Sequence, residues 1–179
     1  MTISRETSLG TGLRPIISPL LPIIDARSRV LILGSMPSDI SIEKKQYYAN
    51  PQNHFWTLIY SVLGGGIPPS AYEGRIAFLL SKGVALWDVL EYCERKGSSD
   101  ASITKVRPND LSSLLASYPS IRFAFFNGKK AQEIFSMKVA LPEEIELGPL
   151  PSSSAANAGT PMREKLEKWM AIRAALDTK

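Results

Sequence analysis

The sequence predicts an α/β fold, a parallel sheet with helices on both faces. Two observations lead there. Short apolar runs at 29–34, 84–90 (VALWDVL) and 121–126 (IRFAFF) alternate with segments of helical character. The first run, Val30 to Leu33, stops at Gly34 and is followed by Pro37, which reads as a buried strand ending in a shaped loop. In such sheets a ligand sits outside the C-terminal strand ends. The loops at 34–53, 87–92, 127–130 and 149–158 all follow strands and would converge there.

Taken in order, residues 1–28 read as an arm. Pro15, Pro19 and Pro22 punctuate LRPIISPLLPIID and argue against a helix. The remainder, 29–179, reads as a single domain, the size expected of one core. After the first strand a long loop carries SMPSDISIEKKQYYANPQN. A helix begins near His54, runs through FWTLIYSVL and ends at Gly64–Gly66. A second spans roughly 70–81, with Tyr72, Ile76, Leu79 and Leu80 on one face. Gly83 opens the second strand. The polar segment that follows, EYCERKGSSDASITKVRPND, has no clear period and reads as a solvated loop. Its Arg95, Lys96, Lys105 and Arg107 offer phosphate contacts as the alternative reading. Asn109 or Asp110 caps a helix over LSSLLASYP. Asn127–Gly128 turns the third strand into the helix KKAQEIFSM. A fourth short strand falls near 144–147, and the last helix runs from Pro161 to about Leu176.

Composition narrows the function. Hydrophobic residues make up 44% and charged residues 21%, the balance of a soluble globular protein. A net charge of +4 permits a polyanionic partner without requiring one. The single cysteine, Cys93, allows no internal disulfide and suggests a reducing compartment. It reads as a partly buried thiol on a helix. As a nucleophile it would need the single histidine, His54. One histidine and one cysteine argue against zinc, and one thiolate against an iron–sulfur cluster. No metal and no cofactor are expected. No apolar run reaches the length of a membrane span, and the N-terminus lacks a secretory signal pattern. The expected location is cytoplasmic or nucleoid-associated, or nuclear in a eukaryote.

The segment YYANPQNHFW at 47–56 packs aromatic rings, amides and a proline into ten residues. Aromatics beside amides, without clustered charge, suit a pocket that grips a flat polar ring.

The motifs GSMPS, YYANPQNHFW, GVALWDVL, FFNGKKA and LPSSSAANA, in that order, resemble the uracil-DNA glycosylase superfamily. Within it the hypoxanthine-DNA glycosylase (DNA-deoxyinosine glycosylase) branch is the nearest match. The resemblance covers roughly 29–170. It implies a three-layer α/β/α sandwich with a central, mainly parallel four-stranded sheet. It further implies hydrolytic excision of a deaminated base from DNA, in base excision repair, by a monomer without cofactor or metal. No lysine is placed for lyase chemistry, so the enzyme is expected to be monofunctional. Met36 stands where uracil-specific members carry aspartate and mismatch-specific ones asparagine. Leu150 stands where histidine is frequent, and Asp88 where several branches read uracil with asparagine. These departures count against a general uracil enzyme. A mismatch-specific uracil/thymine glycosylase and a non-catalytic nucleic-acid-binding module of the same fold are the alternatives.

Site roles follow from the chemistry. Asn53 and Asn50 are candidates for placing water at C1′, where an amide suffices if the transition state is largely dissociative. Asn53 reads equally as a helix cap and Asn50 as a turn residue. Asp88, ionised, would accept hypoxanthine N1–H; buried and protonated, it would donate to the leaving purine; otherwise it caps a turn. Ser35, Met36, Tyr48, Phe55 and Asn127 are base-binding candidates, with Tyr48 stacking from the loop and Asn127 either reading a base edge or supplying a turn. Ser152, Ser153 and Ser154, with Lys129, are candidates for the phosphates flanking an extruded nucleotide.

Overall fold

The computed structural model describes residues 12–139 and 144–178. Seven strands and six α-helices follow one another there. They are β1 Arg14–Ile17, β2 Val30–Gly34, α1 Asp39–Lys44, α2 Phe55–Leu63, α3 Tyr72–Ser81, β3 Val84–Asp88 and β4 Leu90–Arg95, then β5 Thr104–Pro108, α4 Leu111–Ser117, β6 Phe123–Asn127, α5 Lys129–Lys138, β7 Glu146–Leu150 and α6 Met162–Asp177.

The central sheet has the order β3-β2-β6-β7, and every pairing in it is parallel. β2 is buried along its whole length, which explains its unbroken apolar run. The strand's two-residue period splits its side chains between two cores. Val30 and Ile32 join α2, α3 and α6 on one face through Phe55, Leu58, Leu79 and Trp169. Leu31 and Leu33 join α4 and α5 on the other through Leu111, Leu115, Ile134 and Phe135. The result is the three-layer α/β/α sandwich.

A second sheet, order β1-β4-β5, is antiparallel and was not expected. It corrects two sequence readings. The polar segment after the second strand is a hairpin rather than a solvated loop, and Cys93 is a fully buried thiol on a strand rather than on a helix. Within the arm, Arg14–Ile17 pairs with β4 and Ile23 bridges to Leu86. Residues 1–11 of the arm lie outside the described residues. The long loop after β2 also contains the short α1, capped by the Ser38 side chain, which accepts from Ser41 N. The fourth central strand begins two residues later than expected. No helix among the described residues is long and apolar enough to cross a membrane.

Candidate active site

The C-terminal ends of the central strands open into a cleft of about 1150 Å³. The register sets what faces it. Gly34 lies opposite Asp88 at the ends of β2 and β3, and Asn127 lies opposite Leu150 at the ends of β6 and β7. Ser35, Met36, Tyr48, Asn50, Asn53, Asp88, Asn127, Lys129 and Ser152–Ser154 all line the cleft. Four loops far apart in sequence therefore meet at one place.

Asp88 is 3% exposed. Its Oδ2 has no hydrogen-bond partner among the described residues. Burial pushes its carboxyl up to about 8, the nearby Asp100 adds to the rise, and Arg95 and the Tyr47 hydroxyl oppose it. The rise favours the neutral acid, which presents one donor and one acceptor. Its backbone carbonyl accepts from Asn109 Nδ2 at 2.9 Å, which anchors the strand end.

Asn127 is buried, and both of its amide hydrogens are engaged. Its Nδ2 donates to Tyr48 OH at 2.9 Å and to Ser153 Oγ at 2.8 Å, and its Oδ1 accepts from Ser153 N at 2.8 Å. All of its amide donors are used within the protein. It ties the stacking candidate to the serine loop, and no donor remains for a base edge. The adjoining Gly128 has φ +102°, and a Cβ there would lie 3.1 Å from Ser152 Cβ. The turn needs glycine on both counts.

Tyr48 is half-buried in the loop, and its ring stacks on Phe55 with centroids 3.9 Å apart and planes 9° apart. Phe55 itself is fully buried and does not line the cleft. The expectation that Phe55 touches a base is corrected. At the head of α2 its ring faces the core, packed edge-on to Trp56 and Trp169, and it supports Tyr48 from behind. Burial pushes the Tyr48 hydroxyl up, so it stays protonated.

Asn53 Oδ1 accepts from Phe55 N at 2.9 Å, and Asn50 Oδ1 accepts from Gln52 N at 3.0 Å. Each carbonyl keeps a second lone pair that a water can occupy. His54 is the N-cap of α2, so Asn53 holds the first helical N–H through a turn one residue earlier and also lies on the cleft wall. The serine loop is fastened from three sides. His54 N donates to Ser153 O at 2.9 Å, Lys165 Nζ reaches Ser154 O at 3.5 Å, and Asn157 Nδ2 bonds Ser152 O at 3.2 Å. Lys129 is exposed on the rim, 3.6 Å from Glu133.

The family model of the Uracil DNA glycosylase superfamily matches residues 21–175. The chain belongs to the uracil DNA glycosylase superfamily. Among members of this superfamily with which it compares, the chain is 39% identical over 150 residues to a protein of Methanosarcina acetivorans named hypoxanthine DNA glycosylase. That match covers 84% of this chain and 93% of the relative. A protein of the same name from Methanosarcina barkeri is 38% identical over 136 residues, covering 76% and 85%. The solution NMR structure of a uracil-DNA-glycosylase-like protein from M. acetivorans superposes with a TM-score of 0.75 at 37% identity, over 89% of this chain and 97% of that one. The α/β/α fold is thus that of a superfamily member.

Sequence reasoning missed Asp100 on the cleft wall, and it offered Arg95 only as a phosphate contact, which its full burial rules out. Asp100 accepts from Ser35 Oγ at 2.8 Å, so the hairpin between β4 and β5 forms one wall of the cleft. Arg95 is fully buried and donates to the carbonyls of Met36 and Pro37. Its signal was faint. Cys93 and Arg95 stand two apart and share the inward face of β4.

Proposed function

We propose that the chain is a monofunctional DNA N-glycosylase that excises hypoxanthine from DNA by hydrolysis. The observation that carries this reading is the buried carboxyl of Asp88 in the cleft, its Oδ2 without a partner among the described residues, in a chain whose relatives bear that name. The enzyme extrudes the deoxyinosine nucleotide into the cleft, where the base stacks on Tyr48. The acid carbonyl of Asp88 accepts from N1–H, and its O–H donates to O6. As the C1′–N9 bond breaks, its electron pair moves onto the base, and the proton of Asp88 offsets the growing negative charge. A water held by Asn50 or Asn53 adds to C1′, and its proton returns to the carboxylate through solvent. Neither amide can deprotonate that water, which suits a dissociative transition state.

Ser152–Ser154 and Lys129 hold the flanking phosphates. Ser35 and Met36 shape the wall beside the base. One chain supplies the whole cleft, which fits a monomer acting on DNA that contains a deaminated base.

The test is direct. Duplexes carrying hypoxanthine, uracil, xanthine or a mismatch are incubated with the protein, and abasic sites are then cleaved with alkali. Hypoxanthine should be released fastest. Faster release of uracil or thymine would favour a mismatch-specific enzyme, and no release of any base would leave a binding module.

A further inference from the structure

Arg95 is a charged side chain placed where an apolar one would pack at less cost. It is 0% exposed, and the core beside it holds Ile16, Met36, Cys93 and Ile103. A buried guanidinium is costly unless its donors are matched, and a hydrophobic replacement of similar volume is often neutral or stabilising. The bonds of Arg95 all run to one segment. Nη1 donates to Met36 O at 3.5 Å, Nη2 to Pro37 O, and Nη2 also reaches Asp39 Oδ1 at 3.4 Å. Its Nε has no partner among the described residues. The clamp therefore joins the antiparallel sheet to the loop that leaves β2 beside Asp88, and Arg14 reinforces it from β1 through an ion pair with Asp39.

Resting on the glycosylase reading, we propose that Arg95 is a positioning residue for base excision: it fixes the backbone of Met36 and Pro37 on the cleft wall. The guanidinium fork suits this task, because one rigid group spans two successive carbonyls.

Two variants test the clamp. Arg95→Lys keeps the charge and loses the fork. Arg95→Gln keeps one amide donor and loses the charge. Single-turnover release of hypoxanthine at saturating enzyme is measured beside melting temperature and DNA affinity. In the folded fraction of either variant the saturated rate should fall roughly ten-fold while DNA affinity stays at the wild-type value. A purely structural role would lower the melting temperature of either variant and leave the saturated rate at the wild-type value in the folded fraction; that result overturns the proposal. If the glutamine variant fails to fold, the lysine variant still decides, since a wild-type saturated rate there removes the clamp. The wild-type arm reports separately on the glycosylase reading. If it releases another base faster, the Arg95 comparison is made on that base.

Discussion

Gly34 and Asp88 stand opposite each other in the central sheet, and no side chain fits between them. A Cβ on Gly34 would lie 2.5 Å from Asp88 Oδ1 and 3.1 Å from Tyr48 OH. The end of β2 is thus bare so that a buried carboxyl and the stacking tyrosine can close over it. Gly34→Ala should push Asp88 and Tyr48 apart. Hypoxanthine release should fall at least roughly ten-fold, from a displacement of less than the width of a methyl group. Single-turnover rates beside a melting curve check this, and a folded variant with the wild-type rate would refute it.

Asn127 joins Tyr48 to Ser153 through three hydrogen bonds. Asn127→Ala leaves buried partners unmatched, at about 1–3 kcal/mol for such a group. Urea unfolding should show a loss of that order, and KM for damaged DNA should rise because the serine loop is freed. Wild-type KM in the variant would show that the network does not position the loop.

What the sequence disclosed follows from the kind of signal each element carries. The strands at 30–34, 84–88 and 123–127 are buried on both faces, so their apolar runs stand out. The helices over 55–63 and 162–177 were equally plain. The antiparallel sheet was hidden because β4 is half-buried and irregular, with shifts of register on both sides of Tyr92. A pairing with Arg14–Ile17, some eighty residues away, leaves no local mark. Arg95 was misread for the same reason, since a lone arginine in a polar stretch is usually solvated. The place of Asp88 and Asn127 on the cleft was legible because the alternation of strands and helices fixes where strand ends point. Phe55 was not, because facing core or cleft at the first turn of a helix is settled by packing against Trp56 and Trp169.

Asp88 also makes stability depend on pH. Burial pushes its carboxyl up to about 8 in the folded state, from the ordinary carboxylate value of 3.8 that holds once the chain unfolds. Between those values the folded state holds a proton that the unfolded state has released, so stability from this group is full below about pH 4 and is lost as pH rises through about 8. Asp88→Asn carries no such penalty. Its melting temperature should match the wild type at pH 4 and exceed it by several degrees at pH 8 and above. Parallel melting curves across that range are the measurement, and an unchanging difference would place Asp88 in a solvated setting.

DNA affinity should weaken as salt rises, because phosphate contacts release counterions. Lys129 is exposed on the cleft rim. Lys129→Ala should reduce the slope of log affinity against log salt by about 1, with little change in the saturated rate. Titrations of labelled duplex at several salt concentrations measure it; an unchanged slope would remove Lys129 from the interface.

The central claim is that neutral Asp88 holds the lactam edge of hypoxanthine and protonates the departing base. Asp88→Asn tests it most directly, because the amide presents the same donor and acceptor pattern and does not titrate. Single-turnover release of hypoxanthine is measured for both proteins from pH 6 to 9.5, with Asp88→Ala as the control that lacks both groups. The account predicts a wild-type rate that falls as pH rises through about 8. It predicts a flat profile for Asp88→Asn, which keeps the hydrogen-bonding pattern but has no proton to transfer, roughly a hundred-fold below the wild type at pH 7, and a further loss of roughly ten-fold for Asp88→Ala. A wild-type rate that instead rises through pH 8, with Asp88→Asn as inactive as Asp88→Ala, would contradict it and assign the work to the ionised carboxylate.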